Sequence, residues 1–274
     1  MATAFFFGEA GAGLFFVAQF FDFVLGMAVG LAMVLFGKGG GHLIHLGKPS
    51  RGWRAFAKVS TSWVSRGLAA IATFSVFGTL HLLQTMYGIL PAPLAWLVAG
   101  IAVAACLVIM VYQGFAMSHS SAITLWSTGL MPITSLIFAL LNGVLLTIVL
   151  GYNAPFLTNH AETLRLLQAA VIVLILFGLV TILSMLHAAR YGSEGGRESV
   201  RLLLRKDFAA TFVPLVIGLG MIVAMLLLVL APKSLATMIA VTAAELTGYY
   251  TFRILVFKAG TYDPVMKFGR SFTR

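Results

Sequence analysis

The chain alternates long apolar runs with short, mostly basic loops. The runs are unbroken and about 20 residues long, which is what a helix needs to cross a hydrocarbon core of about 30 Å. They predict spans over residues 12–36, 68–90, 93–111, 130–150, 164–187, 209–230 and 235–257. A membrane-spanning barrel would instead show alternating segments of about ten residues. The pattern therefore predicts an all-α polytopic transmembrane helix bundle of about seven spans, one integral membrane domain over residues 1–274. The stretch 5–46 is the hardest to divide. Two full spans would need about 40 apolar residues and a turn. Gln19, Asp22, Lys38 and Gly39-Gly40-Gly41 interrupt it, and no turn signature stands near its middle. It reads as one span followed by a short re-entrant or interfacial segment.

Composition agrees with a lipid environment: of 274 residues, 60% are hydrophobic and 9% charged, against about 25% charged in soluble domains. The net charge of +10 is gathered in loops, where membrane topology accounts for it and no nucleic-acid partner is needed. With seven alternating spans, Lys38, Lys48, Arg51, Arg54, Lys58, Arg66, Arg190, Arg197, Arg201, Arg205, Lys206, Arg253, Lys258, Lys267, Arg270 and Arg274 fall on one side. Only Arg165 and Lys233 fall on the other. The positive-inside rule then predicts a multi-pass protein of a bacterial or archaeal cytoplasmic (inner) membrane, N-terminus outside and C-terminus in the cytoplasm. The first residues carry no basic region, so no cleavable signal peptide is expected. Cys106 is the one cysteine, so the chain cannot hold an iron–sulfur cluster by itself.

Candidate chemistry concentrates in His45-Leu46-Gly47-Lys48-Pro49-Ser50-Arg51-Gly52-Trp53-Arg54 and the following Ser62-Trp63-Val64-Ser65-Arg66. This basic segment brings an imidazole and a guanidinium to the bilayer surface, a combination suited to a quinone head group or to docking a soluble partner. Within it, Lys48, Arg54, Trp63 and Arg66 are candidates for partner docking. Asp22 and Glu245 read as carboxyls at mid-membrane depth, where charge is costly. They suggest a proton path or a hydrogen-bonded packing pair. His81, Gln84 and Thr85 share one helix face and extend the polar set. The uncharged, aromatic segment from Tyr112 to His119, continuing to Trp126, reads as a loop under a partner or lining an apolar cleft. His81 alone among six histidines is deep, roughly 20 Å into its helix, and cannot share a haem iron with His187. That leaves a haem between His45 and His187 as one alternative and a proton-coupled transporter as another. Against transport stands the lack of an inverted repeat. No metal-ligand cluster or nucleophile–base motif is evident, so no catalytic residue and no metal site are expected.

The HLGxPxR pattern at 45–51, the run ending at Arg66, the segment from Tyr112 to Pro132 and Ala244-Glu245-Leu246-Thr247-Gly248-Tyr249-Tyr250 together resemble the membrane-anchor subunits of molybdopterin oxidoreductases. These are the DMSO reductase anchor and its polysulfide reductase, NrfD-like relatives. The resemblance implies a haem-free quinone site (menaquinone or ubiquinone) at His45, Gly47 and Arg51, with Tyr112 beside it. It implies a ferredoxin-like iron–sulfur subunit and a molybdopterin catalytic subunit as partners, which hold the clusters and the molybdopterin. It further implies electron transfer between the quinone pool and that complex, in sulfite- or DMSO-type chemistry. Two departures stand out. Relatives often carry an acidic residue where this chain has Gly67, and they tend to have eight spans.

Overall fold

The computed structural model describes residues 1–45 and 49–264; the side chains of residues 45 and 49–51 are outside that description. Among the described residues, seven helices are long and apolar enough to cross a membrane. They are α1 (Ala2–Phe21), α2 (Val24–Ile44), α3 (Trp63–Tyr87), α4 (Ala92–Ser118), α5 (Leu130–Leu150), α6 (Ala161–Gly192) and α8 (Ala209–Leu230). Between the last two lies an amphipathic surface helix, α7 (Glu194–Leu204). An eighth long helix, α9 (Leu235–Lys258, 24 residues), is less apolar because it carries Glu245 and Arg253.

The first two helices correct the reading of 12–36 as a single span. Gln19–Phe21 tightens to a 3₁₀ turn, and Asp22 adopts the left-handed conformation at φ 47°. The Phe23 N–H reaches the Ala18 carbonyl at 3.0 Å and the Asp22 N–H reaches that of Gln19 at 3.3 Å. This pair of bonds is the Schellman helix stop, usually built on glycine. Aspartate takes the glycine's place, one of the few side chains that visits this region routinely. The chain thus reverses within two residues, and α2 runs back along α1.

The reversal also overturns the expected position of the N-terminus. The Phe5 ring lies 6.5 Å from that of His42 and 5.4 Å from that of Phe257. The start of α1 and the ends of α2 and α9 therefore share one face, while Asp22 lies at the other. Lys38 and Arg253, counted above as loop charges, are buried within α2 and α9.

α1 and α5 form the axis of the bundle. Of their most apolar windows, 67% and 61% are buried, against 28–39% for the other five helices. They touch backbone to backbone: a Cβ on Gly13 would come within 1.8 Å of the Ala139 carbonyl oxygen, and one on Gly143 within 2.3 Å of that of Gly13. Small residues permit such close approach in membrane bundles, where dispersion replaces hydrophobic burial as the driving force. Two stretches are π-helical, Met33–Gly40 in α2 and Phe212–Val223 in α8. The second includes Pro214, whose missing N–H breaks the usual ladder. Such widened turns re-aim side chains and recur at functional sites.

On the face shared by Phe5 and Phe257, the chain folds back upon itself. α4 continues to Ser118, so Tyr112–Met117 are helical and not a loop as expected from sequence. In the following loop Ile123 and Leu125 are buried and the Trp126 indole donates to the Val256 carbonyl at 2.9 Å. The Asp263 carboxylate accepts from Ser193 Oγ at 2.5 Å, from the Gly195 N–H at 2.9 Å and from Thr124 Oγ1, clamping this loop to the start of α7. Partial burial opposes ionisation of that carboxyl, but these hydrogen bonds outweigh it and hold its pKa below the ordinary aspartate range.

Candidate functional site

A cavity of about 510 Å³ opens on this face between α1, α2, α3, α4 and the 3₁₀ segment Pro49–Lys58. Its walls are nearly all apolar: Phe5, Trp53, Phe56, Val64, Ile71 and Phe257 contribute rings and branched chains. Two polar groups converge on it. Tyr112, buried on α4, places its hydroxyl 3.2 Å from His42 Nε2. An apolar enclosure with a few placed polar groups is the usual form of a small-molecule site, and such sites measure about 300–1,000 Å³.

The position of Tyr112 depends on Gly67. A Cβ there would stand 2.2 Å from the Tyr112 ring. The ring therefore lies flat on the α3 backbone, and an acidic side chain at 67 could not coexist with it. The space that Gly67 leaves is thus taken by the tyrosine in the cavity wall.

Behind the cavity sits a buried charged network absent from the sequence reading. Lys38, on the π-helical part of α2, is fully buried; its ammonium donates to Gln113 Oε1 at 2.6 Å. It lies 4.2 Å from the centre of the Phe5 ring and 4.8 Å from that of Tyr112. The Gln113 amide in turn donates to the Phe5 carbonyl at 3.3 Å. Deeper still, Glu9 accepts from Arg253 Nε at 3.0 Å, from Arg253 Nη2 and from the Tyr249 hydroxyl, while Arg253 Nη2 also reaches Ser135 Oγ at 2.7 Å. Sequence held two signals for this network: a glutamate in the otherwise apolar start of α1, and an arginine one helical turn after Tyr249. His42, three residues before His45 and hence on the same helix face, was also passed over.

The predicted site residues divide as follows. Tyr112 lines the cavity. His45 ends α2 and Arg51 lies on the 3₁₀ segment, with side chains outside the description; Gly47 and Lys48 lie outside the described residues altogether. Their neighbours Leu43, Gly52 and Trp53 line the cavity. Trp63 stacks on Phe115 at 4.2 Å, and the Arg66 guanidinium covers Trp63 at 4.5 Å while donating to the Val59 and Ser60 carbonyls. Arg54 is exposed beside Trp53.

The expected proton-path residues do not form one group. Asp22 is not at mid-depth: it is exposed in the α1–α2 turn. There it lines a second cavity of about 600 Å³ with Gln19, His81, Gln84 and Trp96. Glu245 is buried midway along α9 against Phe138, Gly220 and Tyr249, and neither oxygen has a hydrogen-bond partner among the described residues. The Phe15 ring, edge-on to Phe74 at 4.8 Å and to His81 at 6.1 Å, forms part of the apolar layer between the two ends.

A family model, the DMSO reductase anchor subunit (DmsC), matches residues 17–257. The chain belongs to that family. The match runs from the end of α1 to the end of α9 and so takes in His42, the HLGxPxR segment, Tyr112 and Arg253, but leaves out Phe5 and Glu9. As an anchor subunit this multi-pass membrane protein belongs to a DMSO reductase-type complex, whose catalytic and iron–sulfur subunits are separate chains. No curated protein matches the chain.

Proposed function

We propose that this anchor is the quinone-reactive subunit of its complex. The reading rests on one observation: among the described side chains, the cavity beside the HLGxPxR segment is apolar apart from His42 and Tyr112. A bound quinone supplies two-electron, two-proton redox chemistry. Phe5, Phe56 and Phe257 would hold the planar ring, and Val64 and Ile71 would take the isoprenoid tail. His42 and Tyr112 present adjacent polar atoms to one ring oxygen, one able to hold a proton and the other to donate a hydrogen bond. Whether His42 Nε2 donates or accepts depends on its tautomer. His45 and Arg51, between Leu43 and Gly52 in the chain, are the second imidazole and the fixed cation that the HLGxPxR segment brings to the proposal. The apolar walls exclude water.

Electrons pass to or from a ferredoxin-like iron–sulfur subunit docked on the same face, and through it a molybdopterin subunit. Arg54, Lys58, Arg197 and Arg201 give that face its positive charge, suited to an acidic partner surface. By the positive-inside rule it faces the cytoplasm. Asp22 and His81 line the cavity at the opposite face and would exchange protons there, while Glu245 lies buried apart from both cavities.

The test is substitution in the assembled complex. His42→Ala and Tyr112→Phe are expected to assemble yet lower quinol turnover, the histidine by about 10²-fold. His45→Ala and Arg51→Ala are expected to lose turnover as well. Full turnover in both His42→Ala and Tyr112→Phe would exclude this cavity.

A further inference from the structure

We propose that Lys38 makes the cavity selective for planar ring ligands that carry a negative charge. The proposal rests on the quinone reading above and adds a ligand class to it.

Three observations carry it. First, basic groups outnumber acidic ones behind the cavity: among the described residues there, Arg253 and Lys38 stand against Glu9 alone. Second, Glu9 is engaged by Arg253 and Tyr249, and no carboxylate lies within ion-pair distance of Lys38 among the described residues. Its hydrogen-bond acceptor is a neutral amide, Gln113. Third, Lys38 does not extend toward water, as lysines in membrane helices commonly do. It is fully buried on the π-helical stretch and lies against Phe5 and Tyr112, both of which form the cavity wall.

A buried cation is costly unless a compensating charge lies near it. Aromatic faces and an amide offset part of that cost. An oxyanion in the cavity, on the other side of these two rings, would offset the remainder, because attraction through a low-dielectric wall is screened far less than in water. Lys38 does not touch the ligand. It is a positioning residue that acts through the field behind two aromatic walls.

The experiment uses the full chain in detergent and two probes of similar size. Lawsone is a hydroxynaphthoquinone ionised at neutral pH; menadione carries a neutral methyl group instead. Quenching of tryptophan fluorescence, with Trp53 in the cavity wall, reports binding of each. The native chain is expected to bind lawsone about tenfold more tightly than menadione. Lys38→Met removes the cation. Gln113→Glu keeps it but sets a carboxylate against it, so one variant tests the proposal if the other fails to fold. Both are expected to abolish the preference while leaving menadione affinity in place. A preference that persists in both, or is absent from the native chain, overturns the role of Lys38 and leaves the quinone reading standing. Failure of the native chain to bind either probe overturns both.

Discussion

Glu9 and Arg253 meet out of reach of solvent, on the first and last long helices among the described residues. Removing one member of a buried pair leaves the other uncompensated, at a cost of about 3–5 kcal/mol. Glu9→Gln and Arg253→Met are each expected to lower the thermal midpoint in detergent steeply, and the double variant to recover part of the loss. Equal and additive losses would show that the two groups act independently. Asp263 is a gentler case. Its folded pKa is depressed, so its contribution is complete above the ordinary aspartate pKa of about 3.9. The contribution is lost as pH falls from there through the folded value. Asp263→Asn should therefore flatten the acid limb of the stability profile, measured as thermal midpoint against pH. Sequence alone revealed little of either cluster. A lysine or arginine near a span end counts as a loop charge by default, and a π-helical turn that draws Lys38 inward leaves no mark in composition.

Among the elements, the amphipathic α7 read only as a basic loop, whereas the membrane spans from α3 onward were legible, because unbroken apolar runs bounded by Gly, Pro and charged residues specify them directly. Two boundaries were not. The α1–α2 turn has no glycine or proline; Asp22 fills the left-handed position, and an isolated aspartate in an apolar run reads as a functional carboxyl. α4 was ended seven residues early because Tyr112, Gln113 and Ser118 look like loop residues when their burial is unknown. Asp22→Gly should preserve or raise stability, whereas Asp22→Val should cost about 1–2 kcal/mol, since a β-branched residue is strained at this φ. Chemical or thermal unfolding in detergent measures both. The HLGxPxR segment pointed to the face on which the cavity opens, since Gly52 and Trp53 directly after it line that cavity. Of its polar lining Tyr112 was named and His42 was not, because the two meet across 70 residues of sequence.

For the whole molecule, sidedness is the sharpest prediction. Cys106 is the sole cysteine and is buried, so single cysteines report cleanly. In sealed vesicles, Thr3→Cys, Lys58→Cys and Tyr262→Cys should label from one side, and Asp22→Cys and Tyr87→Cys from the other. Labelling of Thr3→Cys together with Tyr87→Cys would refute the α1–α2 reversal. That reversal has a further consequence, for biogenesis. Glu9 lies 13 residues before Asp22 and Lys38 lies 16 after it, about 20 and 24 Å of helix respectively. Carboxyl and amine therefore reach nearly the same depth from a common bend. Helices joined so tightly would leave the translocon as one hairpin, each carrying the opposite charge that eases the other's passage into lipid.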